Sequence, residues 1–111
     1  MVQDTIPSRL WSALDGYDID RGFGRGCPSC EQGYEVGDRL FAIAERPPRT
    51  EAWTVSSVVC ADCGRQSLSK KERQAALDQA LVSAELAAAS MTLVLDSETA
   101  RLLDRSPPRE A

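Results

Sequence analysis

Hydrophobic positions recur along this chain in three rhythms. Near the N-terminus Leu10, Trp11 and Leu14 fall three to four residues apart, with Pro7-Ser8 ahead of them and Gly16 behind. That spacing predicts a short helix with these side chains on one face, opened by proline and serine and closed by glycine. Trp11 is expected to anchor it on the cysteine-bearing module that follows. From Asp38 the rhythm becomes β. Leu40-Phe41-Ala42-Ile43-Ala44 predicts one strand, and Trp53 to Val59 a second, with Trp53, Val55 and Val59 on a common face. Between them Arg46-Pro47-Pro48-Arg49-Thr50-Glu51 is polar and proline-containing, so the chain reverses there to form a hairpin.

The third rhythm is helical. Ser69-Lys70-Lys71-Glu72 has the form of a capping box, and Ala75 to Ala89 is built almost wholly of good helix formers. Leu77, Leu81, Ala84 and Ala88 make a stripe, and a long Ala-rich helix over 70–89 is expected. Met91 to Leu95 predicts a short buried strand, a third for the hairpin. Ser97 predicts the cap of a last short helix through Leu102-Leu103, stopped by Ser106-Pro107-Pro108. The expected fold is therefore α+β: a β-hairpin, extended to three strands, with one long Ala-rich helix and short terminal helices. Residues 1–26 form an N-terminal helix and a Gly/Arg-rich lead-in, 27–104 the domain, and 105–111 a disordered tail.

Cysteine placement gives this pattern its candidate chemistry. The chain has four cysteines and no histidine. The cysteines stand as Cys27-Pro28-Ser29-Cys30 and Cys60-Ala61-Asp62-Cys63-Gly64, with 29 residues between the pairs. Two Cys-x-x-Cys pairs closing on each other form a tetrahedral four-sulfur site, the preferred set for one structural Zn²⁺. Pairing the two strands carries both pairs to the same end of the hairpin. The competing reading, disulfides, needs a secreted chain, and the N-terminus shows no apolar signal segment. Gly64 is expected to supply a positive φ in the second turn. Arg25 and Arg65 are candidates to offset the charge of the thiolates.

The chain resembles the zinc ribbons, and in particular the small Cys-Pro-x-Cys-Gly-type zinc-finger proteins of haloarchaea. Both cysteine pairs and a composition rich in Arg and Asp but poor in Lys carry this resemblance. It covers Cys27 to Gly64. Glu31 departs from the pattern, standing where glycine is common. The spacing is also similar to that of rubredoxin, a one-electron iron carrier, and Tyr34, four residues after Cys30, is compatible with that. Against it, Cys30 is not followed by glycine, the second pair lacks proline, and 5% aromatics is too little for a rubredoxin core.

Charge and composition narrow the function further. A formal net charge of −4 opposes long-range attraction to nucleic acid. Four protein thiolates leave no coordination position for water, and without histidine the usual neutral-pH base is missing, so no enzyme is expected. No apolar run is long enough to span a membrane, and a cytoplasmic location is expected. Two readings follow. One is a structural-zinc module acting as a protein-interaction or regulatory adaptor, its 70–89 helix meeting a partner or a second copy. The other is a nucleic-acid-binding ribbon using the basic cluster Arg65, Lys70, Lys71 and Arg73 at a helix N-terminus.

Overall fold

The structure is a computed structural model that describes residues 6, 8–19, 24, 26–27, 30–47, 49–64 and 78–106. The expected N-terminal helix forms as α1 (Ser8–Leu14). Gly16, at φ 69°, ends it in the left-handed region that glycine adopts without a Cβ penalty. Leu10 and Leu14 are fully buried, but Trp11 is 40% exposed. The two leucines, not the tryptophan, seat the helix, which packs on the second and fourth strands.

Both hairpin strands form as expected, as β1 (Arg39–Arg46) and β2 (Thr54–Cys60). They pair antiparallel, with Leu40 opposite Cys60 and Glu45 opposite Thr54. One detail differs. The register slips between Ile43 and Ala44, placing an extra residue in β2, and the Ser56 hydroxyl donates to the Ile43 carbonyl at 3.1 Å. This bulge flips the alternation of β2. Trp53 and Val55 face the core before it, and Val58 and Cys60 after it, leaving Val59 only half-buried.

The long helix is overturned. Residues 78–89 form a strand, β3 (Asp78–Ala89), joined directly to β4 (Thr92–Ser106). The four strands make one antiparallel sheet in the order β2-β1-β3-β4. β3 lies at the centre, hydrogen-bonded to β1 on one side and β4 on the other, and every residue from Asp78 to Ala84 is buried. Alternate residues Ala80, Val82, Ala84 and Leu86 enter the main core with Leu40, Ala42 and Leu95. Leu81 joins Ile43 on the opposite face, with Phe41 and Leu103 beside them. Two full ladders and burial on both faces outweigh the helix propensity of alanine, which amounts to tenths of a kcal/mol per residue. Residues 65–77, including Ser69 and Glu72 of the expected capping box, lie outside the described residues.

The β3–β4 turn is Ser90-Met91, with φ 50° and 72°. Positive φ at both central positions is the backbone of a type I′ turn, here without the usual Asn-Gly. The last short helix is also overturned, because β4 runs on to Ser106. Glu85 pairs with Asp96 and Ser83 with Arg101, so β4 carries extra residues at this point. Within the bulge the Thr99 hydroxyl accepts from the Glu85 amide and donates to the Asp96 carbonyl, and the Glu98 amide donates to the Asp96 carboxylate. These are cap-like side-chain bonds, which is why Ser97 reads as a helix start. Ser97 instead donates to Asp15 at 2.8 Å, tying β4 to the end of α1. Beside it, Gly16 and Tyr17 pair with Leu95 along the edge of β4. Arg105 and Ser106, expected in the tail, belong to β4.

An ion cluster around a buried carboxylate closes one end of the sheet. Asp78, fully buried, accepts from Arg46 of β1 at 2.9 Å and from Arg105 of β4 at 2.7 Å. Both guanidinium groups lie within 6 Å of the centre of the Trp53 ring. Burial raises the Asp78 carboxyl, but the hydrogen bonds from Arg105 and Arg46 outweigh it and hold the group below the ordinary carboxylate value. A depressed folded-state pKa gives stability that is present above the unfolded value of about 3.9 and is lost as pH falls through the folded one. Asp78→Asn should therefore cost about 3 kcal/mol at pH 7 and less in acid. Chemical denaturation of both proteins between pH 2 and pH 7 measures this, and a loss that does not shrink in acid would contradict it.

Candidate metal centre

The opposite end of the sheet holds the four cysteines. Two tight turns place them. In the first, the Cys27 amide donates to the Gln32 carbonyl at 2.9 Å and the Glu31 amide to the Cys27 carbonyl at 2.8 Å, while Gly26 and Gly33 bridge antiparallel. In the second, Cys60 ends β2, and the Cys63 and Gly64 amides donate to the Cys60 and Ala61 carbonyls at 3.1 and 3.2 Å. β1 carries the two turns together, because Leu40 pairs with Cys60 and the first turn runs into β1 through residues 34–38.

All four Sγ atoms lie within 4.8 Å of one another. A ZnS₄ tetrahedron with bonds of about 2.3 Å has edges of about 3.8 Å. Cys30 and Cys60 Sγ are 3.5 Å apart, far beyond a disulfide bond, and all four cysteines are free thiols. Cys27 and Cys60 are buried, Cys63 is half-buried and Cys30 is exposed. The Cys60 amide donates to Cys27 Sγ at 3.4 Å, the backbone-to-sulfur bond that stabilises a thiolate ligand.

Crowding shows in the titration of Cys30 and Cys63. Hydrogen bonding with Cys30, then with Cys60, pushes the Cys63 thiol up to about 12. At Cys30 the Gln32 amide favours the thiolate, but the hydrogen bond shared with Cys60 leaves the thiol raised. Sulfurs this close resist ionising together, and a divalent cation removes that resistance. The donor set thus fits one soft or borderline metal ion held by four sulfurs.

The two glycine expectations exchange places. Glu31, where related turns carry glycine, sits at φ 63°. Gly64 does not adopt a positive φ. Its missing Cβ makes room instead, because a methyl there would lie closer than 3.0 Å to the Phe41 ring of β1. Sequence reasoning also missed the setting of Tyr34, which is buried among the cysteines; its position soon after the first pair is the only signal the sequence offers. Arg65, Lys70, Lys71 and Arg73, with Arg25, lie outside the described residues, so the structure does not place the proposed basic cluster.

A fold of four antiparallel strands with a close cluster of thiols defines a small β domain with a candidate metal site. A family model described as a domain of unknown function, DUF8112, matches residues 11–102, and the chain belongs to that family. The match runs from within α1 through both cysteine pairs and into β4; it identifies no zinc-ribbon family, and what supports a metal-binding module is the four close cysteines. No curated protein and no solved structure matches the chain. No helix among the described residues is long and apolar enough to cross a membrane.

The two turns respond oppositely to substitution. Glu31→Gly relieves a left-handed residue and should raise stability by about 1 kcal/mol. Gly64→Ala overpacks against Phe41 and should lower it by about 1–3 kcal/mol. Thermal melts of the two variants beside the parent chain check both signs.

Proposed function

We propose that this chain is a structural-zinc module, non-enzymatic, that serves as a protein-interaction or regulatory adaptor. The observation that carries the reading is the convergence of all four cysteines, from two separate turns, within 4.8 Å. Four thiolates complete a tetrahedral shell, so zinc here has no position left for a water or a substrate. The cage stitches the segment after α1 to the end of the β1–β2 hairpin, where small domains most need a cross-link. Arg39, near the cage, is engaged by Ser83, Glu85 and the Thr99 carbonyl, which leaves it bound to the fold's own groups. The adaptor role is the reading that a domain tied together by a closed thiolate cage supports. The long helix that was expected to meet a partner forms no part of it, since residues 78–89 lie inside the sheet.

Elemental analysis of the purified protein tests the metal. One zinc per chain is expected, and Cys60→Ser should lose the metal together with most of the thermal stability. A red, iron-loaded protein would replace the reading with electron transfer, and a metal-free chain of unchanged stability would overturn it.

A further inference from the structure

Tyr34 follows the first cysteine turn and is 94% buried, but among the described residues its hydroxyl makes no hydrogen bond. An unpartnered phenol inside a protein is costly, and such groups are rare without a reason. Cys27 and Cys60 belong to the same core cluster as Tyr34, and a phenol is a hydrogen-bond donor at neutral pH. Cys27 is the most deeply buried of the four ligands, at 2% exposed, and already accepts the Cys60 amide. A thiol sulfur is a poor acceptor, whereas a metal-bound thiolate is a good one.

Resting on the metal reading above, we propose that Tyr34 is a positioning residue of the site: when the metal binds, its O–H donates to the Cys27 thiolate. The bond gives the buried phenol its missing partner and spreads charge away from the sulfur that water reaches least. Loading the metal therefore turns a weak acceptor into a strong one. In this way the ion orders the wall of the core as well as the two turns, since Tyr34 packs in the main core beside Cys27 and Cys60.

Two measurements test this. In a Tyr17→Phe background, which leaves Tyr34 as the only tyrosine, the ultraviolet resonance Raman doublet of Tyr34 should change to the hydrogen-bond-donor pattern when Zn²⁺ is added. A doublet unmoved in metal-loaded protein would overturn the proposal. Second, Tyr34→Phe should bind Zn²⁺ about tenfold more weakly in chelator competition. With Co²⁺ in the cage, its sulfur-to-metal charge-transfer band should lie at lower energy than in the parent chain. Weaker binding with an unshifted band would mean packing alone and would overturn the proposal, as would a variant identical to the parent. If the parent chain binds no metal, the metal reading fails and this one with it. If the metal binds while the doublet and the band stay put, only the role of Tyr34 fails.

Discussion

Four sulfur atoms held within 4.8 Å cannot all ionise unless a cation stands among them, and that constraint organises one end of this protein. The two turns that supply them are short and hydrogen-bonded by their own backbones, so their shapes are set locally. Their meeting is not local. It depends on β1, which begins just after the first turn and carries the residue that pairs with Cys60. Burying Cys27 and Cys60 in the main core then makes the cage part of the hydrophobic packing, not an appendage to it. Metal affinity and folding free energy are linked in such an arrangement, because the unfolded chain has no preformed site.

The sheet is fixed at both ends by different chemistry. At the cysteine end the fixing groups are soft and, in the proposed zinc form, collectively anionic, at about −2. At the far end one buried carboxylate joins two arginines and the face of Trp53, linking β1, β3 and β4. Between them Leu40, Val82, Leu86 and Leu95 pack with the small residues Ala42, Ala44, Ala80 and Ala84, all buried. A domain of this size buries a limited core. The two end clamps supply constraints that a larger core would make unnecessary.

Much of this arrangement was legible in the sequence where the determinants are local. Leu10, Leu14 and Gly16 mark α1, the β-branched and aromatic runs mark β1 and β2, and the cysteine spacing marks the site. The stretch 78–89 was not legible, because Ala, Leu and Glu favour helix by intrinsic preference and its strand state is imposed by β1 and β4. A period-two signal does exist there, in Ala80, Val82, Ala84 and Leu86 before a turn and Leu93 and Leu95 after it. Ser90-Met91 hides it, since the turn lacks the glycine that usually announces a tight hairpin. The room that Gly64 leaves was equally out of reach, for it depends on a phenyl ring 23 positions earlier.

X-ray absorption at the zinc edge of the metal-loaded protein decides whether the cage closes on a single ion through sulfur alone. A closed cage gives a first shell of four sulfur scatterers at about 2.3 Å and nothing lighter. A shell containing oxygen or nitrogen, or one with only two or three sulfurs, would contradict it.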